Sequence, residues 1–157
     1  MNVKTRHFGD VEVEDSKIIT MDNGLFGFEN YKKYVLLYDS STDEIPNIQW
    51  LQSVDEELLA LPVMIPTTIV GEYNPVVEDE SLECLGAWNE DAISMLVTVT
   101  VPIDVKNMSI NLKAPILINT ETMKGCQVIA ENPEYEVKFK IHDLLEQARA
   151  KKEAEGK

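Results

Sequence analysis

Apolar and polar residues alternate with a period of two along most of this chain, the signature of half-buried β-strands. The clearest run is Ile93–Val101, where Ile93, Met95, Val97, Val99 and Val101 fall on one face and Ser94, Leu96, Thr98 and Thr100 on the other. Its β-branched content favours a strand, and Pro102, which cannot donate to a ladder, ends it. Tyr135–Ile141 repeats the pattern, with Tyr135, Val137, Phe139 and Ile141 set against Glu136, Lys138 and Lys140. Met108–Lys113 alternates with Met108, Ile110 and Leu112 inward, and Ile116–Asn119 resumes after Pro115. Val3–Phe8, Val11–Glu14, Lys17–Thr20, Tyr34–Tyr38, Ile48–Gln52, Leu58–Met64, Leu82–Trp88 and Gln127–Ala130 are further candidates.

Turn chemistry separates these runs. Phe8-Gly9-Asp10 can join the first two strands, and Asn23-Gly24 tolerates positive φ. Lys124-Gly125 and Asn132-Pro133 mark later turns. Many short strands between turns predict a mostly β fold, a single compact barrel-like domain of short antiparallel strands with little helix. Ser53–Leu59 suits one helical turn, with Ser53 as N-cap and Asp55, Glu56 and Glu57 near its positive end. His142–Glu155 is the one long stretch of helix formers, with a thin apolar set of Leu144, Leu145 and Ala148. The organisation expected is therefore a β domain over 1–141, then a short helix and frayed polar tail over 142–157. No internal repeat or Gly/Ser linker divides the 157 residues.

Composition adds a sharper point. With 44% hydrophobic and 27% charged residues the chain is an ordinary globular one, not a disordered one. No apolar run reaches the roughly 18 residues of a membrane helix, and the N-terminus carries no secretory h-region. Two cysteines, Cys84 and Cys126, are too few for a disulfide scaffold, so a reducing, cytoplasmic setting is expected. The net charge of −14 comes from 14 Lys+Arg against 28 Asp+Glu. It is concentrated: no Lys or Arg occurs between Lys33 and Lys106, whereas that interval holds 14 acids. The rest of the chain is neutral. Such a balance disfavours nucleic acid and anionic membrane as direct ligands. It serves either solubility or the attraction of a basic partner.

Reaction chemistry is hard to find. There is no H-x-x-x-H, C-x-x-C, G-x-S-x-G, P-loop or G-x-G-x-x-G pattern. His7 and His142 stand alone, and both cysteines read as small buried apolar side chains. Asp39-Ser40-Ser41-Thr42-Asp43-Glu44 is rich in oxygen ligands but lacks the sixth-position glycine and distal glutamate of a calcium loop, and reads as a solvated acidic turn. A carboxylate pair for hydrolysis would have to be chosen freely from 28 acids. The expectation is a non-enzyme with no cofactor and no metal.

Apolar residues outside the strand pattern offer docking candidates instead. Leu25-Phe26-Gly27-Phe28 follows the Asn-Gly turn, either as a plug on the core or as an anchor for a protein partner. Trp50 reads as core, and Trp88 is open to either reading. Pro62, Pro66 and Pro75 punctuate Leu61–Val76 as edge or loop positions. The neighbouring Glu72-Tyr73-Asn74 would form a docking rim, and charge density singles out Glu78, Asp79, Glu80 and Glu83. A small-ligand β-barrel is the alternative, and a hydrolase a third reading.

Six segments occur in a familiar order: Phe8-Gly9, Gly24-Leu25-Phe26-Gly27-Phe28-Glu29, Trp50-Leu51-Gln52-Ser53, Val99-Thr100-Val101-Pro102, Asn111-Leu112-Lys113-Ala114-Pro115-Ile116 with Asn119, and Gly125-Cys126-Gln127-Val128-Ile129. Together they resemble the bacterial flagellar assembly factor family FliW, over about Phe8 to Tyr135. The resemblance implies a non-enzymatic regulator, monomeric when free, that binds flagellin and the RNA-binding translational repressor CsrA. Flagellin and CsrA would occupy it in mutual antagonism, and holding CsrA would relieve repression of flagellin mRNA. It also implies that flagellin presents an amphipathic helix to an apolar groove, for which Leu25, Phe26 and Phe28 are the candidate anchors.

Overall fold

A computed structural model of the chain describes residues 1–38 and 48–155, without the side chains at 148, 149 and 151–155. The acidic turn Asp39–Glu44 lies outside the described residues. Eleven strands are present among them: β1 (Asn2–Lys4), β2 (Asp10–Glu12), β3 (Ile19–Met21), β4 (Lys33–Leu37), β5 (Gln49–Ser53), β6 (Ala60–Met64), β7 (Ile93–Thr100), β8 (Ser109–Ile110), β9 (Ile116–Asn119), β10 (Lys124–Gln127) and β11 (Phe139–Lys140). The helices are α1 (Thr67–Val70) and α2 (His142–Glu155), with short 3-10 turns between strands.

Seven strands close a barrel in the order β7-β6-β5-β4-β3-β10-β9, and β9 returns to pair with β7. Every pairing in the ring is antiparallel except β3–β10, which is parallel. Closure removes the exposed edges of an open sheet. The two-residue β8 and β11 extend β7 beyond the ring. The mostly β, barrel-like class expected from the sequence is the architecture observed.

The barrel interior is filled by Ile19, Met21, Leu25, Tyr34, Leu51, Leu59, Val63, Leu96, Ile116 and Ile118. Three further layers coat its outside. The β1–β2 hairpin lays Val3 and Val13 over Val35 of β4. Met108, Ile110, Leu112 and Ile141 pack on Met64, Val97 and Val99. The 3-10 turn Asp79–Leu85 sets Leu85 against Leu117, Cys126 and Val128. Strands β6, β7 and β9 are thus buried on both faces. In β7 the apolar face with Val97 and Val99 points outward under the second layer, and Leu96 alone of the other face's apolar residues points into the barrel.

Several expected elements differ, each for an identifiable reason. Leu82–Trp88 is no strand; its first half belongs to the 3-10 turn Asp79–Leu85. A 3-10 helix repeats every three residues, which stacks Leu82 and Leu85 on one side against the barrel. Tyr135–Ile141 contributes only Phe139 and Lys140 to a ladder, because β8 offers just two residues to pair with. Ser53–Leu59 forms a tight turn, although Ser53 Oγ does accept from the N–H groups of Asp55 and Glu56 at 3.2 and 3.0 Å. Pro62 lies within β6 opposite Trp50 but keeps the local edge character expected of it, because the ladder to β7 starts only at Val63 and leaves its other side unpaired. Lys124-Gly125 is not a turn but the start of β10, which the preceding turn reaches with Met123 at φ 56°.

Tyr34 is fully buried in the barrel, and among the described residues its hydroxyl finds no hydrogen-bond partner. Burial pushes its pKa up to about 12. A buried hydroxyl left unpaired costs about 1–3 kcal/mol, and deleting it removes that cost while keeping the ring. Tyr34→Phe is therefore expected to hold or raise stability, by up to about 1 kcal/mol. Urea unfolding checks this, and a clear loss of stability would show that the hydroxyl is satisfied.

Candidate functional site

The carboxylates of the base-free interval do not scatter evenly. Of its 14 acids, seven lie between Glu72 and Asp91, in the segment that crosses the outer faces of β7, β9 and β10. Asp55, Glu56 and Glu57 sit in the β5–β6 turn, Asp104 stands apart, and Asp39, Asp43 and Glu44 fall outside the described residues. Glu72, Glu78, Asp79, Glu80, Glu83, Glu90 and Asp91 are all exposed. Among the described residues, no Lys or Arg forms an ion pair with any of them.

This segment has little regular structure, so side chains hold it in place. At its start the Tyr73 hydroxyl donates to Leu112 O at 2.5 Å, and its ring packs against Tyr135 with centroids 4.8 Å apart. Burial pushes the Tyr73 pKa well above the ordinary tyrosine range. Asn132 pins the next residues: its Oδ1 accepts from Val76 N–H at 2.7 Å and its Nδ2 donates to Asn74 O at 3.1 Å. At the far end, fully buried Asn119 donates from Nδ2 to Leu85 O and Ala87 O at 2.9 and 3.1 Å. Its Oδ1 accepts from Glu121 N–H at 3.1 Å. Cys84 and Cys126 Sγ both lie 3.5 Å from Ser81 O, and burial raises the Cys126 pKa. The acids are thus presented on a fixed backbone, which lowers the ordering cost of binding.

The apolar candidates separate in the structure. Leu25 is 1% exposed and belongs to the barrel interior, which corrects its reading as a surface anchor. Phe26 and Phe28 stand 50% and 37% exposed on the same loop. Leu25 and Phe28 form an isolated bridge, and Gly27 between them takes φ 88°, as the third position of a type II turn favours. Phe26 N–H donates to Gln127 Oε1 at 2.9 Å, which fixes the loop to β10. Tyr73 is likewise buried and serves as a pin, whereas Glu72 and Asn74 beside it are exposed. Trp50 is half-buried against His7, and Trp88 is exposed.

Sequence reasoning missed Asn119, Asn132 and Gln52 as organisers. Gln52, 1% exposed, accepts from Arg6 N–H and turns its amide nitrogen to the carbonyls of Ser53, Glu56, Glu57 and Leu59. For Gln52 and Asn119 the available signal was a polar residue in an apolar strand run, since buried amides are kept only where they are bonded; Asn132, in a polar loop, offered none.

Among the described residues, no group of three or more His, Cys, Asp or Glu is placed to hold a metal, and no helix is long and apolar enough to cross a membrane. A closed barrel with a filled interior and a pinned anionic segment makes this a β scaffold whose distinctive features lie on its surface. A FliW protein family model matches residues 2–141. The chain belongs to the FliW family of flagellar assembly factors, and its role lies in flagellar assembly. It is 51% identical over 146 residues to a flagellar assembly factor FliW of Lachnospira eligens, covering 92% of this chain and 97% of that one. It is 48% identical over 153 residues to that of Lachnoclostridium phytofermentans, covering 98% and 97%. A crystal structure of a flagellar assembly factor FliW superposes with a TM-score of 0.80 at 29% identity, over 90% of this chain and 96% of that one.

Proposed function

We propose that this chain is a non-enzymatic, cytoplasmic partner switch that binds flagellin and the translational repressor CsrA. Free of flagellin it holds CsrA and relieves repression of flagellin mRNA; accumulated flagellin displaces CsrA and translation falls. The observation that supports this best is the pinned run of exposed carboxylates from Glu72 to Asp91, none of which pairs with a Lys or Arg among the described residues. A protein that holds RNA phosphates must carry basic surface. Such a surface is steered toward an anionic face, and the complex sets negative potential beside the RNA path. The acidic face could cover the RNA site, or bind beside it and act by repulsion or conformational coupling; the family resemblance favours the second.

The test is titration calorimetry of the purified chain with flagellin and with CsrA at two salt concentrations. Lys at Glu78, Asp79, Glu80 and Glu83 together is expected to weaken CsrA binding by roughly 10- to 100-fold at low salt, and by less at high salt, since exposed pairs contribute about 0.2–1 kcal/mol each. Unchanged affinity at both salts would defeat the electrostatic mechanism. For flagellin, exposed Phe26 and Phe28 are the anchors for an apolar helix face. Phe26→Ala with Phe28→Ala is expected to reduce flagellin affinity at least about tenfold with the circular dichroism spectrum unchanged. Full flagellin affinity in that variant would remove them from the interface.

A further inference from the structure

The anionic segment also roofs a cleft. Between it and the outer faces of β7 and β9 lies a cavity of about 370 Å³. Ile93, Met95 and Leu117 form its floor, Val77 and Leu82 its wall, and Trp88 stands at its margin, 44% exposed. Glu90 is the one charged residue in the lining, and Glu72, Glu78 and Asp91 adjoin it in the chain. The barrel interior is filled by side chains, so this groove lies outside the barrel core.

Two features fix what it would take. The lining is mostly apolar, although Tyr73 and Asn74 also contribute to it, and Trp88 adds an exposed indole, so the occupant must offer a large apolar side chain. The roofing segment carries seven exposed carboxylates from Glu72 to Asp91 and no base of its own; Lys113 comes near it, donating to Asn132 O at 3.0 Å, but among the described residues pairs with none of those acids, so cationic flanks on that side chain are favoured. A free lipid or an acidic peptide meets the first demand but is repelled by the second. We propose that this cleft is a docking site for a partner protein's helical segment with large aliphatic or aromatic side chains on one face and Lys or Arg on the rest of its surface. The proposal rests on reading the Glu72–Asp91 segment as a docking face for a basic protein, and adds the apolar anchor that gives that face specificity.

Fluorescence anisotropy with three labelled synthetic peptides tests it. The first carries leucines on one helical face and lysines on the other, the second replaces the leucines by serine, and the third replaces the lysines by glutamate. The leucine–lysine peptide is expected to bind at least about tenfold more tightly than either control. Trp88→Ala should lose most of that affinity, Trp88→Phe should recover it, and both should keep the native circular dichroism spectrum. Equal binding of the serine peptide would mean charge alone and overturn the anchor. Equal binding of the glutamate peptide would overturn the cationic partner. Unchanged affinity in Trp88→Ala would place the contact elsewhere and overturn the site. A parallel CsrA titration keeps the readings apart: CsrA binding without peptide binding overturns the cleft alone, and peptide binding without CsrA binding overturns only the CsrA assignment.

Discussion

Gly24→Ala is expected to lower the thermal unfolding midpoint by roughly 6–12 °C, the shift that about 3 kcal/mol produces in a chain of this size. Two costs combine. Gly24 takes φ 66°, where an L side chain is strained. A Cβ there would also stand 2.6 Å from Glu29 Cα and 2.8 Å from its carbonyl carbon and oxygen. Those are backbone atoms, so relief requires moving the loop that inserts Leu25 into the barrel and presents Phe26 and Phe28. Gly27 supplies the control. It has φ 88° with nothing within 4 Å of a built Cβ, so Gly27→Ala carries the backbone strain alone, about 1 kcal/mol. Calorimetric scanning of both variants separates the terms; equal shifts would show that the Glu29 contact relaxes freely.

Asn119→Ala is expected to cost about 1–3 kcal/mol, because it removes the three hydrogen bonds that the fully buried Asn119 side chain makes to buried Leu85 and to exposed Ala87 and Glu121. Thr122 Oγ1 still donates to Leu85 O at 3.2 Å, so Ala87 O and Glu121 N–H bear most of the loss. The effect should be local as well as global. Amide exchange should accelerate over residues 79–88, which lose their tie to β9, before it does in the barrel strands. On the proposed CsrA-binding role, that affinity should fall although no carboxylate is altered, since the segment would have to be ordered on binding. Asn74→Ala, at an exposed position, is the comparison. Unaltered exchange over 79–88 in Asn119→Ala would show that packing of Leu85 alone holds the segment.

Much of the scaffold is legible in the chain itself. Period-two alternation located β7 to within a residue, and the short apolar run after Pro115 located β9 outright. The helix starting at His142 follows from helix formers after the last apolar alternation. Loops were harder. Leu82–Trp88 has strand-like composition, and only the barrel face it meets selects a three-residue repeat. The candidate site shows the same division. Exposure of Glu78, Asp79, Glu80 and Glu83 follows from their charge. Burial of Leu25 and Tyr73 beside exposed Phe26 and Asn74 does not follow from composition, because neighbouring loop residues share chemistry and differ only in the direction the backbone turns them.

By itself the sequence determined that this protein is a β scaffold with its net negative charge confined to one stretch, since alternation and charge are local properties. Only the tertiary structure decided that the strands close through a parallel β3–β10 seam, that three strands are buried on both faces, and that the anionic stretch is pinned by Tyr73, Asn132 and Asn119 above an apolar cleft. Those features depend on contacts between residues distant in the chain, whose partners are chosen by how the whole barrel packs.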